Sequence, residues 1–497
     1  MRRNAALVFT GNVVSKVLGL AREVTTAAFF GTGSVVASFR VALTGTFVPA
    51  DFLVSDALNS SFVPLFRHLS QESKDRAQLL VWIVLSLFGG AAVALGLVLG
   101  LAANQWVYVL APGLDPATRE LTSEVLRTMS IGVPLYLVSA LLNFVAMANG
   151  DFVPMCYRPG IQNLGLIAGT LGAYWFRKPI LFAWGFTGSY AALCSWVLFR
   201  EARVGRLALP KGATRREVGE IIASFWGNLR SLLPVPFLLQ GTMVVERMVA
   251  SFIGLVAVSA VDYARFISET LIRFVSVPIA SAGLVEWSGL QPGEAQLHLR
   301  KVVPLVLLIS VPISTFIDVN SSLLIRATFA RGAFDSQSVT VTAAILLGMS
   351  VGLWAQVLGY VLVRALSAQR RNRTVLGIMF GSLTANVAFD LLAYHGLGAL
   401  ALGLGNTVYG FGLLGGALTA LGLWGEFVLG GKAILLGGVA YAAISHYVAL
   451  NRMAMWGAVG VAVTVGVGFW TVWIAAVPSL RRLVCGVIRK ERRRALQ

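Results

Sequence analysis

Long apolar runs, separated by short basic or glycine-rich breaks, follow one another along the whole of this sequence. Two of the clearest are QLLVWIVLSLFGGAAVALGLVLGLAA at 78–103 and WGAVGVAVTVGVGFWTVWIAAV at 456–477. Each is longer than the roughly 20 residues that a helix rising 1.5 Å per residue needs to cross about 30 Å of hydrocarbon. Runs of this kind fall near 5–29, 35–66, 78–103, 123–149, 152–175, 179–200, 220–252, 255–284, 302–328, 337–368, 374–394, 397–424, 430–449 and 455–478. The pattern predicts an all-α polytopic membrane protein with about 14 transmembrane helices. Composition points the same way. Of 497 residues, 57% are hydrophobic and 12% charged, against about 25% charged in soluble domains.

Comparing the chain with itself reveals a direct repeat. APGLDPATRELTSEVLRTMSIG, from Ala111, is matched by ARGAFDSQSVTVTAAILLGMSVG, from Ala330. Asp115 pairs with Asp335, Met129 with Met349, Ser130 with Ser350 and Gly132 with Gly352, all at one separation. Upstream, FTGNVVS (Phe9, Gly11, Asn12, Ser15) is echoed by FWGNLRS (Phe225, Gly227, Asn228, Ser231). Direct repeats imply two similar bundles related by a pseudo-twofold axis along the membrane normal, with the substrate site between them. The expected organisation is a six-helix N-lobe over 1–203, a six-helix C-lobe over 204–428, two extra C-terminal helices over 429–480 and a basic tail over 481–497. A V-shaped central cavity is expected with it.

The net charge is +18, and its placement decides its meaning. With the N-terminus in the cytoplasm, Arg2 and Arg3 fall inside, as do Arg67, Lys74 and Arg76, the cations from Arg200 to Arg216, and Arg300 with Lys301. Arg370, Arg371, Arg373 and the tail RRLVCGVIRKERRR fall on the same side. The outer loops hold scattered cations, Arg177 with Lys178 being the clearest. This is the positive-inside distribution, with both termini cytoplasmic. The basic tail then reads as a topology and anionic-lipid signal, not a nucleic-acid site. No small-residue cleavage site follows a short apolar core at the N-terminus, so no cleavable signal peptide is expected. Cys156, Cys194 and Cys485 match no metal or redox spacing. His68, His298, His395 and His446 sit in basic loops or at helix ends. No phosphate-binding glycine loop or nucleophile triad is present, and the outer loop near 103–122 is too short to hold a glycosyltransferase site. No enzyme is expected.

Charges inside the spans are the exception to this apolar pattern. The first span carries Lys16, Arg22 and Glu23, and the second carries Arg40, Asp51 and Asp56. Later come Arg230, Glu246, Arg247, Asp262, Arg265, Glu269 and Arg273. A charge at the bilayer centre costs about 2.5–3.5 kcal/mol on insertion scales, so such residues face a bundle interior or a watery cavity. The excess is cationic, so the expected cargo is an anion; a multidrug cation antiporter would want an acidic cavity. Lys16 and Arg22 lie about 240° apart around a helix. Using both requires a bend near Val17–Leu18–Gly19 or a cavity that touches two sides. Arg265 and Arg273 lie within about 80° of one another. The competing reading of Arg22, as a partner of Glu23 or a snorkelling interfacial residue, stays open.

A second constellation suits a hard cation such as Na⁺. Asn386 and Asp390 stand one turn apart on one helical face, and Glu246, Asn406 and Thr407 offer further oxygen donors from other spans. A structural ion pair between Asp390 and an arginine of the seventh or eighth span competes with it.

Four segments carry a resemblance: SKVLGLAREVTTAAFFGTG (15–33), SSFVPLFRHLSQ (60–71), RGAFD (331–335) and RALSAQRRNRT (364–374). They resemble the lipid II flippase family, MurJ/MviN, within the multidrug/oligosaccharidyl-lipid/polysaccharide exporter superfamily. The resemblance implies a monomer in the bacterial cytoplasmic membrane. It would move undecaprenyl-pyrophosphate-linked disaccharide-pentapeptide from the inner to the outer leaflet by alternating access. A groove formed partly by the last two spans would hold the lipid tail. Arg presents a planar fork to phosphate oxygens and Lys a point charge. The candidate substrate-binding set is therefore Lys16, Arg22 and Glu23, with Arg230, Arg265 and Arg273. Lys16 and Glu23 stand where the family more usually has Arg and Asp. The family's second span has an Arg and a Glu where this chain has Ala50 and Ser55, and its YADR pattern reads YARF here, placing Arg265 one position early. A sodium site in some members falls on Glu246, Asn386, Asp390 and Asn406. A flippase for another lipid-linked oligosaccharide (O-antigen, capsule or enterobacterial common antigen) is the neighbouring reading.

Overall fold

A computed structural model describes residues 2–54, 56–210, 212, 214–230, 234–288, 292–445 and 453–485. Its helices fall where the apolar runs predict them, but several runs are broken rods. The first rod is α1 (Arg2–Phe30). The second is α2 (Ser34–Leu53) with α3 (Asp56–Glu72), and the third α4 (Lys74–Leu101) with α5 (Ala103–Leu110). The fourth is α6 (Pro116–Ser130) with α7 (Gly132–Ala148), followed by α8 (Val153–Phe176) and α9 (Leu181–Arg203). The seventh is α10 (Arg215–Arg230) with α11 (Pro234–Ile253), then α12 (Leu255–Ser288). The ninth is α13 (Pro292–Val319) with α14 (Ser321–Phe329), and the tenth α15 (Ser336–Val351) with α16 (Leu353–Ala368). The last four are α17 (Asn372–Leu397), α18 (Ala399–Leu421), α19 (Trp424–Ser445) and α20 (Met455–Ala476). Among the described residues eight helical stretches are long and apolar enough to cross a membrane, or up to 10 if each bent pair counts as one span. Among the described residues the architecture is all-α.

The breaks have identifiable causes. Pro49 inside α2 has no N–H to give the Gly45 carbonyl. The Trp106 indole of α5 donates to that carbonyl instead, at 2.9 Å. The pairs α6–α7 and α15–α16 bend by 44° and 48°, at the same place in the repeat. In each, an aspartate caps the first helix. Asp115 accepts from the Thr118 N–H at 3.0 Å, and Asp335 accepts from the Ser338 N–H at 2.8 Å and its hydroxyl at 2.7 Å. These bonds favour the ionised form. Those from the Thr118 side chain and backbone hold Asp115 below its ordinary range, and those from the Ser338 backbone and hydroxyl do the same for Asp335.

At the second bend, two hydroxyls enter the helical ladder. Thr407 of α18 accepts from Gly352 N–H at 2.8 Å and donates to the Gly348 carbonyl at 2.6 Å. Ser314 of α13 accepts from Trp354 N–H at 3.2 Å and donates to the Ser350 carbonyl at 2.6 Å. Each hydroxyl replaces one i→i+4 bond, which is how an inserted side chain bends a helix. The first bend has a weaker version, Thr187 of α9 donating to the Thr128 carbonyl at 3.3 Å. Thr128 and Gly348, like Thr187 and Thr407, keep the separation of the Asp115–Asp335 pair. The repeat is therefore a repeat of bond geometry.

Two compact units are distinguished by their packing. One comprises Met1–Ser259 with Arg331–Phe334, the other Ala260–Ala330 with Asp335–Gln497. The first unit packs Phe39, Tyr136, Phe182, Phe186 and Tyr190 in its core, with Phe186 and Tyr190 centroids 4.9 Å apart. The second packs Leu299, Val303 and Val311 of α13 with Leu358 and Leu362 of α16 and Leu414 and Leu418 of α18. The tetrapeptide Arg331–Phe334 belongs to the first unit although the chain on both sides of it belongs to the second. Its Ala333 N–H donates to the Ala28 carbonyl at 2.8 Å, at the end of α1. Gly31 and Gly332 both have φ of 59°. A Cβ on Gly31 would meet the Ala333 carbonyl, and one on Gly332 the Ala28 carbonyl. Only glycine fits both turns.

Candidate functional site

Within the first unit, the polar residues of α1 and α2 meet. Gly31, Thr32 and Gly33 turn the chain, so Glu23 and Arg40 come to similar depths on adjacent antiparallel helices. Glu23 is 2% exposed. It accepts from Arg22 Nη2 at 2.5 Å and Nε at 3.2 Å. Arg40, 6% exposed, donates to both its carboxylate oxygens, one of them from Nη1 at 3.2 Å. Arg22 Nη1 donates to Asn163 Oδ1 of α8 at 3.0 Å, and Asn163 Nδ2 donates to the Ser15 carbonyl at 3.1 Å. Two guanidinium groups thus share one carboxylate. Arg22 is the more open of the two, its side chain 22% exposed. Arg247 of α11 continues the network, donating to Thr44 Oγ1 at 3.2 Å and to the Val258 carbonyl at 2.5 Å.

The other predicted cations are dispersed. Lys16 is half-buried on α1, which runs as one helix through Val17–Leu18–Gly19. Arg230 is exposed at the last residue of α10. Arg265 is half-buried on α12 in the second unit, and the Arg273 side chain lies outside the described residues, as does His446.

Sequence reasoning missed a second polar cluster in the first unit. The Tyr136 hydroxyl of α7 donates to Asp51 Oδ1 of α2, and the Arg158 guanidinium of α8 lies 4.9 Å from the Tyr136 ring centroid. An arginine in the fifth span was there to be read, but nothing in its spacing points to Asp51. Between the α7–α8 turn and the end of α9, Asp151 accepts from Arg200 at 2.8 Å and Arg206 at 3.3 Å, while buried Glu201 accepts from Arg206 at 3.1 Å.

The candidate cation ligands divide between the units: Glu246 lies in the first, and Asn386, Asp390 and Asn406 in the second. Asn386 and Asp390 are both buried on α17, facing α18, and Asn406 is half-buried. A Cβ on Gly405 would strike the Asp390 carboxylate, so glycine there admits the acid. Their hard oxygen donors fit Na⁺. Thr407 is otherwise engaged, its hydroxyl being held at the α15–α16 bend. On the second unit, α13 and α20 also enclose an almost wholly apolar groove of about 430 Å³, lined by Leu308, Pro312, Phe316, Val467, Trp470 and Ile474.

Successive apolar rods, two matched bends and a cationic cluster inside one bundle define an all-α protein of the polytopic membrane class. Its fold is similar to that of a solved lipid II flippase MurJ in an inward closed conformation, with a TM-score of 0.81 at 18% identity, covering 95% of this chain and 98% of that one. It is also similar to an inward-facing multidrug resistance MATE family transporter of the MOP superfamily, with a TM-score of 0.65 at 15% identity over 85% and 95% of the two chains. The sequence profile described as "Lipid II flippase MurJ" matches residues 26–424. The probable lipid II flippase MurJ of Synechocystis sp. is 26% identical over 426 residues, covering 80% of this chain and 77% of that protein. That of Thermotoga maritima is 23% identical over 401 residues, 80% of each. This chain belongs to the lipid II flippase MurJ family.

Proposed function

We propose that the protein carries lipid II, the undecaprenyl-pyrophosphate-linked peptidoglycan precursor, from the inner to the outer leaflet by alternating access, with both termini in the cytoplasm. One observation carries the reading beyond family membership: the Arg22–Glu23–Arg40 cluster. Two arginines share one carboxylate, and Arg22 is the more accessible of the two. A pyrophosphate diester brings two negative charges and planar oxygen edges, which suit a guanidinium fork. Lys16, Arg22, Arg230, Arg265 and Arg273 are the cations assigned to the pyrophosphate, with Glu23 orienting Arg22. The α13–α20 groove suits the polyprenyl tail, since it is apolar and at the second unit's surface. Glu246, Asn386, Asp390 and Asn406 are assigned to a coupling Na⁺. The membrane potential adds about 2.3 kcal/mol per charge per 100 mV, which biases an empty cationic site toward the negative cytoplasmic side.

The test is Arg22→Ala in a host where this chain is the only flippase. Growth should fail and lipid II accumulate in the inner leaflet while the protein remains inserted. Normal growth would make Arg22 a structural partner of Glu23. Accumulation of another lipid-linked glycan on depletion of the wild-type chain would reassign the cargo.

A further inference from the structure

In the ninth rod, Ser310, Ser314 and Asp318 of α13 recur every fourth residue and so share one helical face. That face is turned to the α15–α16 bend. Ser314 bridges Trp354 N–H and the Ser350 carbonyl across it, and the single proton of the Ser350 hydroxyl is shared between the Leu347 carbonyl at 2.9 Å and Asp318 Oδ1 at 3.3 Å. Asp318 lies one residue from the end of α13, inside the apolar stretch Gly293–Val319, which is long enough to cross a membrane. Among the described residues it has no salt-bridge partner, and the long bond from Ser350 is its only hydrogen bond. Ser310, fully buried, has a hydroxyl with no hydrogen-bond partner among the described residues.

Among the described residues no neighbouring helix gives Asp318 an ion-pair partner; α12 reaches the bend through Ser268, 3.6 Å from Met349 Sδ, and carries Arg265 one turn away. The α15 and α20 helices contain no charged residue. On α16 the titratable groups are Tyr360 and Arg364, and on α19 they are Glu426, Lys432 and Tyr441. Arg326 of α14 is exposed toward the end of the rod, and Arg300 and Lys301 belong to the opposite end of α13. Arg300 is paired with Glu426 at 2.9 Å. An unpaired carboxylate in hydrocarbon is costly enough that it takes up a cation. Broken helices are where hydroxyls and released carbonyls coordinate Na⁺ or H⁺, and a carboxylate with hydroxyls is a hard-oxygen donor set.

We propose that Asp318, with Ser350 and Ser314 beside it, forms a monovalent-cation site at the bend of the tenth rod, distinct from the Asn386–Asp390 site. Cation arrival neutralises Asp318 and sets the strength of the Ser350 contact at the bend. The proposal is independent of the cargo, and binding is measured without lipid II.

The experiment uses the purified full chain in nanodiscs, with ²²Na⁺ binding at pH 8 and proton uptake on a downward pH jump as separate arms. Saturable ²²Na⁺ binding that falls at least tenfold in Asp318→Asn but persists in Asp390→Asn supports a sodium site. Absence of that sodium component, with proton uptake smaller by about one per chain in Asp318→Asn, supports a proton site. Ser350→Ala, which leaves the acid in place, should weaken the same signal several-fold and covers failure of Asp318→Asn to fold. Sodium binding and proton uptake both unchanged in Asp318→Asn, or in Ser350→Ala where the first variant does not fold, overturn the proposal.

Discussion

Arg40→Met tests whether Glu23 is held by two arginines or needs only one. Methionine keeps most of the length and apolar stem of Arg40, so the perturbation is chiefly the loss of one charge and its bonds to both Glu23 oxygens. Glu23 and Arg40 are 2% and 6% exposed, so water replaces little of what is lost. Breaking a buried pair from one side costs about 3–5 kcal/mol, mostly from the charge left behind. Arg22 still donates to Glu23, which places the expected cost at the lower end, about 3 kcal/mol. Glu23→Gln should cost a similar amount, because it leaves two guanidinium groups facing a neutral amide. The double variant removes both charges and should cost less than the sum by about 2–3 kcal/mol. Denaturant unfolding of the purified protein in bicelles, followed by tryptophan fluorescence, measures all three. Single costs below about 1 kcal/mol that simply add would refute the reasoning, since water would then be solvating the pair.

Thr407→Val removes the hydroxyl that bridges Gly352 N–H and the Gly348 carbonyl, leaving Gly352 N–H only the Ser350 carbonyl, and should cost about 1–3 kcal/mol. Thr187→Val, at the weaker first bend, should cost less than about 1 kcal/mol in the same unfolding assay. Asp335→Ala and Asp115→Ala should each cost about 1 kcal/mol as lost helix caps. Because both acids have lowered values, their stabilisation is present above the ordinary carboxylate range and is lost as the pH falls through the lowered values. Hydrogen exchange at the Ser338 and Thr118 amides, followed as the solution is acidified, should show that loss in the wild type and none in the alanine variants.

The rods were legible because each needs a long apolar run, and nothing shorter crosses a bilayer. The repeat was legible at Asp115 and Asp335 because a helix cap is a local requirement of sequence. Its extension to Thr187 and Thr407 was not, since a threonine in an apolar helix has no pattern that reveals which carbonyl of another helix it meets. Arg40 reads as a residue near the membrane boundary when counted along its own span. Counted from the Gly31–Gly33 turn it falls level with Glu23, so the information was present in the hairpin and not in the helix. Arg158 and Asp318 are harder cases. Arg158 is the single charge of its span and Asp318 the single acid of its own, and the meaning of each depends on tertiary neighbours that no spacing specifies. The breaks at Gly132 and Gly352 were hidden for the same reason: glycine permits a bend, but hydroxyls of other helices, Thr187 of α9 at the first and Ser314 of α13 with Thr407 of α18 at the second, accompany it.

The Arg331–Phe334 tetrapeptide has a consequence for how the protein is made. A nascent chain emerges from its amino end, and the first unit has all its other residues once Ser259 has been added. The turn after α1 still lacks its last neighbour then, and the Ala28 carbonyl its Ala333 donor. At about 5–20 residues per second, the missing piece follows roughly 4–15 s later. During that interval the carboxyl end of α1 is the unfinished part of an otherwise complete bundle, available to insertion factors and quality-control proteases. Truncations ending between residues 260 and 330 should be cleared faster than those ending after Phe334, although both contain every helix of the first unit.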